Sequence, residues 1–445
     1  MNHVIIGNGV AGIQAAEAVR RSDPAGSITL IGDETFPPYC RPMISLVLEG
    51  KIKPEKLPIR SASFYDDLNI TPVLGKRVTG IDAENRKVLI RSKTSGDSLS
   101  SAMLTGHVCE VLNAIRDDAE AESRTEIAFD RLLIASGADP RPVKAEGLNL
   151  KNIFFMRTEH HVRQMSDVLP EVKNALVLGG GLVGFKAAYG LLRRSISVTM
   201  LIRSDYPLSM QADETAGSMI LDELLKQGLK VRSGVEATAF EGPGNVRHAY
   251  LSDGTAIPCD MVVVGKGVTP AISFVPRDKI RTDLGIRVNE YMETSVPGIF
   301  AAGDVAETLD IARNTPWVNA IWPEAAAQGR IAGMNMAGRA VAYRGSLSRN
   351  VIRIFGLDVM TGGVVNPSPK QKTDESVYET FSMGDPRRKT YRKLVFRDDK
   401  LAGMVMVNDI EQGGVLLSLI QNQRTISIPK AAMLEPSFNY RQLMG

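Results

Sequence analysis

The sequence predicts an α/β protein in which two copies of a strand, glycine turn, helix and strand are followed by a smaller α+β segment. Three observations carry this prediction. An apolar run, Val4 to Ile6, leads into GNGVAG, a second at Ala175 leads into GGGLVG, and a third, TSVPGIFAAGDVAE from Thr294 to Glu307, ends its strand at Gly303-Asp304. The chain has 445 residues, room for two to four domains at about 100 to 200 residues each. The 44% hydrophobic and 23% charged residues describe a globular protein, so disordered and fibrous classes are excluded.

The first unit runs through an amphipathic helix to about Arg21 and closes with SITLIG. In its turn, Gly7 permits the tight bend, Gly9 lets backbone approach a pyrophosphate, and Gly12 lets helix and strand pack closely. Unpaired N–H groups at the helix start favour an anion. Asp33 and Glu34 follow the second strand, where an acid accepts the ribose hydroxyls of an adenosine. The alternative is a structural glycine turn with solvated carboxylates.

The second unit begins about 170 residues later and repeats the pattern with Gly179, Gly181 and Gly184, then SVTMLI. Its second strand ends in Ile202 and Arg203 instead of an acid. An arginine there either pairs with a 2′-phosphate or faces water, so weak discrimination against NADPH is expected. Two such units predict two dinucleotide-binding, Rossmann-like, three-layer domains. The boundaries expected are 1–145 with 268–335 for the first, 146–267 for the second, and 336–445 for a separate C-terminal α+β domain suited to assembly. A segment of about 93–128, rich in Ser, Asp, Glu and Ala, reads as an insertion, either neutral or a partner-docking element.

The 53 basic against 50 acidic residues give a formal +3, too even for a nucleic-acid partner. No apolar stretch approaches the roughly 20 residues that span a bilayer. With no leader pattern before Val4, a cytoplasmic protein without a membrane partner is expected. Three cysteines, Cys40, Cys109 and Cys259, stand at wide spacings without histidines at ligand spacing, so neither structural disulfides nor a metal site is expected. Met210, Met219, Met334 and Met336 read as core filler.

With GNGVAG, GGGLVG, VVVGKGVTP and FAAGDVAE in this order over Met1 to Gly338, the sequence resembles the FAD-dependent pyridine nucleotide-disulfide oxidoreductases. Within them it is most similar to the NADH oxidase-like proteins, nitrite reductase flavin domains, and rubredoxin and ferredoxin reductases. The resemblance implies FAD and NAD(P)H as cofactors. FAD would be held by GNGVAG, Asp33, Glu34, Arg41 in PYCRPMIS, Val78 in GKRVTGI, and Ser136, Gly137 and Arg141 in IASGADPR. Gly303 and Asp304 would meet the ribityl chain, and the helix start at IWPEAAAQG, with Trp322 and Glu324, the flavin pyrimidine edge. GGGLVG and Arg203 would hold NAD(P)H, with Gly267 in the segment closing that domain. Trp317 would flank the flavin face, or simply pack.

The chain lacks the C-x-x-x-x-C of the disulfide reductases, so no dithiol relay is expected. Cys40 is then a small packing residue or a single redox thiol. Where ferredoxin reductases of this type pair a lysine with a glutamate beside the flavin, this chain has Leu46 and Lys186, and Lys186 is expected to carry the charge beside the reacting rings. His160 and His161 read as exposed helix-start residues. The resemblance implies electron flow between NAD(P)H, FAD and an iron-sulfur or rubredoxin-type protein. The alternatives are reduction of O2 or a disulfide, or a non-catalytic FAD-binding subunit. A homodimer through the C-terminal domain is a further expectation.

Overall fold

The computed structural model describes residues 1–92, 125–367, 378–435 and 437–443. Its helices are α1 (Val10–Ser22), α2 (Ile44–Glu49), α3 (Phe64–Asp67), α4 (Glu159–Val168), α5 (Leu182–Leu192), α6 (Glu214–Lys226), α7 (Trp322–Met336) and α8 (Gly413–Asn422). Two five-stranded parallel sheets form the body. The first runs in the order Ile299–Ala301, Arg131–Ile134, Asn2–Ile6, Ser27–Gly32, Ile70–Leu74. The second runs Lys230–Ser233, Ser197–Ile202, Asn174–Leu178, Met261–Val264, Ile153–Phe155.

In both sheets the strand preceding the glycine turn is central. Val4, Ile5 and Ile6, and likewise Leu176, Val177 and Leu178, are buried on both faces, as parallel strands covered by helices must be. The register puts Val4 beside Thr29 and Leu132, and Leu176 beside Thr199 and Val262. One cover of the first sheet is a tight helix pair. A Cβ placed on Gly329 or Gly333 of α7 would lie 2.1 or 2.4 Å from the Ala11 or Ala15 carbonyl oxygen of α1. Only glycine permits that spacing.

The chain passes between the sheets along an antiparallel pair, Ala138–Pro140 with Val268–Pro270. A small antiparallel sheet of Lys76–Asp82, Lys87–Ser92 and Thr125–Ala128 flanks the first domain. The last four residues of the expected insertion therefore belong to a strand, while 93–124, including Cys109, lie outside the described residues.

The C-terminal sheet is antiparallel, in the order Arg349–Ile354, Leu357–Gly363, Lys400–Val407, Thr390–Arg397, Tyr378–Asp385. One face of its inner strands, with Leu394, Phe396, Met404 and Met406, packs on Leu416, Leu419 and Ile420 of α8. The other, with Tyr391, Val405 and Val407, shares a core with Ile220 and Leu224 of α6. The Tyr391 hydroxyl donates to the Asp213 carboxylate at 2.6 Å. The segment expected as a C-terminal α+β domain thus has a core of its own and packs its other face against α6, beside the second parallel sheet.

Candidate dinucleotide cleft

The carboxyl ends of both parallel sheets open into one cleft of about 1670 Å³. Ligand pockets for a single small molecule span about 300 to 1,000 Å³, so this space is large enough for two extended ligands. Its floor is built from the two glycine turns. Gly7 has φ +119° and donates its N–H to the Ile31 carbonyl at 2.7 Å, and a Cβ there would meet the Ala135 carbonyl oxygen at 2.1 Å. Gly179 repeats this with φ +104°, an N–H donated to Leu201 at 2.8 Å, and the Gly265 carbonyl oxygen 2.7 Å from a built Cβ.

The third glycine of each turn sits under it. A Cβ on Gly12 would fall 1.9 Å from the Gly7 carbonyl oxygen, and on Gly184 1.9 Å from that of Gly179. By contrast, a Cβ on Gly9 or Gly181 would have nothing within 4 Å. The middle glycine therefore faces free space at the start of α1 or α5, and neither helix has a side-chain cap. Two other helices carry side-chain caps: Thr158 receives the His161 N–H at α4, and Asp213 that of Ala216 at α6. Helix N-termini carry partial positive charge and unsatisfied N–H donors, so the two bare ends are anion cradles.

The start of α7 after Ile321, also without a side-chain cap, reaches the cleft with Trp322 and Ala325 in its lining. Glu324 points the other way. Its carboxylate accepts from the Tyr343 hydroxyl and pairs with Arg349 at 3.0 Å, which corrects its expected place at the cofactor. Trp317 is likewise outside the lining, under the Arg313 guanidinium at 4.7 Å.

The other expected residues of the first half converge on the cleft wall. Asp33 pairs with Arg77 at 3.2 Å, and Glu34 with Arg41 at 2.6 Å and the Tyr39 hydroxyl at 2.9 Å. Val78 lines the same wall. Ser136 donates to the Ala271 carbonyl at 2.8 Å, beside Gly137. The Arg141 guanidinium donates to Val268, and its N–H to Gly267 at 3.0 Å, tying the crossing strands together at the rim.

Gly303 donates its N–H to the Gln328 side chain at 2.8 Å, and Asp304 pairs with Arg157 at 3.2 Å. Arg157 was not singled out in the sequence, although it stands in the MRTE segment. Its carbonyl accepts from Arg41 at 2.8 Å, which joins Glu34, Arg41, Arg157 and Asp304 into one chain of contacts along the cleft. Asp139, also missed, lines the same wall, and burial raises its carboxyl above the ordinary value.

Lys186, one turn into α5, lines the cleft, and burial pulls its ammonium below the usual lysine range. Cys40 lies near enough for the two charges to interact, but outside the lining. Burial pushes its thiol up, outweighing the Met43 N–H and Lys186. Reactive thiols are lowered, whereas that of the partly exposed Cys40 is raised.

Two further expectations are corrected. His161 is buried, its ring accepting from the Thr158 N–H to complete a capping box; only His160 is exposed. Met210 is 80% exposed at the cleft edge, not core filler. Among the described residues no cluster of metal-ligating side chains occurs, and no helix is long and apolar enough to cross a membrane.

Residues 1–329, which contain both turns and the Gly303-Asp304 segment, match the family model described as pyridine nucleotide-disulphide oxidoreductase. The chain belongs to that family. Its members' cofactors are FAD and NAD(P)H. Residues 349–424 match the rubredoxin NAD+ reductase C-terminal domain.

Among relatives within this oxidoreductase family, the chain is 27% identical to the assimilatory nitrate reductase electron transfer subunit of Bacillus subtilis. That match covers 97% of this chain and 51% of the relative, so the chain spans about half that protein's length. It is 24% identical to the NADH-rubredoxin oxidoreductase of Clostridium acetobutylicum over 95% of both chains. A ferredoxin reductase structure from Rhodopseudomonas palustris superposes with a TM-score of 0.80 at 24% identity, over 99% of each chain. That likeness establishes a shared fold.

The residues present fit the family's cofactors. Each bare helix start has open space where a side chain would otherwise stand, as a dinucleotide pyrophosphate requires.

Proposed function

We propose that the chain holds FAD on the first glycine turn and NAD(P)H on the second, and moves electrons between NAD(P)H and an iron-sulfur or rubredoxin-type protein. The observation that carries this reading is the pair of uncapped glycine-turn helices facing one cleft with room for two dinucleotides. Bound FAD supplies the hydride acceptor and a carrier that gives up electrons singly or in pairs.

The protein's part is positioning. Gly7, Gly9 and Gly12 offer the α1 start to the FAD pyrophosphate, and Gly179, Gly181 and Gly184 offer the α5 start to that of the nicotinamide coenzyme. Asp33 and Glu34 are the acceptors for the FAD adenosine, with Arg41 and Val78 beside it, and Ser136, Gly137 and Arg141 follow the chain past the flavin. Asp304 receives a ribityl hydroxyl, and the uncapped start of α7 with Trp322 covers the pyrimidine edge, where its partial positive charge favours the reduced ring. Lys186 supplies a cation at the junction of the two rings.

The two matched regions, a pyridine nucleotide-disulphide oxidoreductase body and a rubredoxin NAD+ reductase C-terminal domain, support a protein acceptor. The raised thiol of Cys40 weighs against a single-cysteine route to a disulfide. The reading includes self-association through the C-terminal domain and a place in the cytoplasm, where NAD(P)H is found.

Anaerobic NADH or NADPH should bleach the flavin of the purified protein within one mixing experiment. Rubredoxin or a [2Fe–2S] ferredoxin should then reoxidise it faster than O2 does. Slow bleaching with a persistent long-wavelength charge-transfer band would indicate a non-catalytic subunit, and fastest reoxidation by O2 an oxidase. Light scattering of the full chain tests the dimer.

A further inference from the structure

The second glycine turn lacks an acid where its neighbouring strand ends, since Ile202 is buried there and the following Arg203 is cationic. The parallel sheet supplies one from elsewhere. Four adjacent strands finish at the same edge, and Gly179, Arg203, Glu236 and Lys266, each one to three residues beyond a different strand end, all line the cleft. After the outermost strand the Gly234 N–H donates to the Ile202 carbonyl at 2.9 Å, turning the chain back over its neighbour. Glu236 follows, its N–H held by the Ser252 hydroxyl at 3.1 Å.

One oxygen of the Glu236 carboxylate receives both the Arg203 guanidinium and the Lys266 ammonium, each at 3.2 Å. Lys266 and then Arg203 hold this carboxyl below its ordinary value, so it is charged at neutral pH.

We infer that Glu236 selects the coenzyme, taking the adenosine ribose of NAD(H) and disfavouring the 2′-phosphate of NADP(H). This inference rests on the proposed binding of NAD(P)H at the second turn. In a dinucleotide fold an acid beyond the second strand accepts the ribose hydroxyls; here the carboxylate reaches the same sheet edge from the third. Its second effect is on its partners. Arg203 and Lys266 would pair with a 2′-phosphate, but the two share one carboxylate, which offsets one of their two charges and which a phosphate would have to displace and would then face at close range. Arg203 is 89% exposed and Glu236 48%, and exposed pairs are weak, so the consequence is a ratio of affinities and not an absolute block.

The test uses flavin-loaded full-length protein and calorimetric titration with NAD+ and NADP+, which bind the oxidised protein without reacting. Wild type should bind NAD+ more tightly. Glu236→Gln should shift the NAD+ to NADP+ affinity ratio at least fivefold toward NADP+, and adding Arg203→Ala should reverse that shift. Unchanged flavin content and melting temperature would show that the variants fold. A smaller shift, or a wild type that prefers NADP+, overturns the inference while leaving the functional reading intact. Wild type that keeps its flavin yet binds neither coenzyme overturns the reading of the second turn, and the inference with it.

Discussion

The two glycine turns are alike in backbone and unlike in surroundings. Both bend at a left-handed glycine, both rest on a third glycine whose built Cβ would fall 1.9 Å from the turn's carbonyl oxygen, and both leave a helix start bare. Around the first, α1 is clamped by α7 through Gly329 and Gly333, and the acids beyond its second strand are tied down by Arg77, Arg41 and Tyr39. Around the second, α5 meets α2 across a looser contact, 3.3 Å from a built Cβ on Gly190 to the Glu49 nitrogen. Its ribose edge is the exposed Arg203 and Glu236 pair. The same local sequence thus makes a site fixed on all sides and a site open to exchange, which suits a resident cofactor and a coenzyme that comes and goes.

The largest effect that would break this comparison is at the third glycines. Gly12→Val should cost about 3 kcal/mol or more, since overpacking here meets backbone and not a movable side chain. It should yield protein with little flavin and a lowered melting temperature, whereas Gly184→Val should retain flavin and lose coenzyme binding. Flavin absorbance and calorimetry distinguish the two, and equal flavin loss in both would erase the asymmetry.

Asp304→Ala comes next. It removes a charge-assisted hydrogen bond worth about 1.5 to 3 kcal/mol and leaves Arg157 without its carboxylate, so flavin should dissociate at least tenfold faster on dilution. Retention equal to wild type would sink the assignment of this segment.

Lys186→Met sharpens the comparison at the seam between the sites. A cation near the ring favours the reduced, anionic flavin, so its removal should lower the flavin midpoint, by about 30 mV for each 1.4 kcal/mol lost. It should also slow hydride transfer without reducing flavin content. Burial lowers the lysine from its ordinary 10.5, so over the window between the lowered value and 10.5 the folded chain binds fewer protons than the unfolded one. Stability therefore rises with pH across that window, and the methionine variant should lose that rise. An identical midpoint and identical hydride rate would place the lysine in solvent.

The smallest effect is expected from Cys40→Ser. With its thiol raised, NAD(P)H-driven dye reduction should change less than twofold. A tenfold loss, about 1.4 kcal/mol in the barrier, would restore a thiol mechanism.

What was legible in the sequence was local. Glycine turns, the strands before them and the Gly303-Asp304 segment carry their geometry within a dozen residues, because strand, turn and helix start are set by neighbours along the chain. Glu236 was not legible, since it reaches Arg203 only through the parallel register of two strands and the return of the chain at Gly234. Arg157 was hidden for the same reason, its partner Asp304 lying far along the chain. Glu324 failed for a rotational reason: Trp322 and Ala325 share a helix face three residues apart, and Glu324, off that face, turns toward Tyr343 and Arg349. His161 and Met210 exchanged places with expectation. A helix-start histidine closed its own cap, and a methionine in an apolar neighbourhood ended at the cleft edge.

The uncapped starts of α1, α5 and α7 make part of the folded state's stability depend on what binds there. Where Thr158 and Asp213 complete their own helices, these three leave the fold unfinished by protein atoms. A ligand present at 1,000 times its dissociation constant adds about 4 kcal/mol to the folded state, a sizeable part of the 5 to 15 kcal/mol that typically separates folded from unfolded chains. Flavin-free protein should therefore melt at a lower temperature than flavin-loaded protein and be cut faster by an added protease.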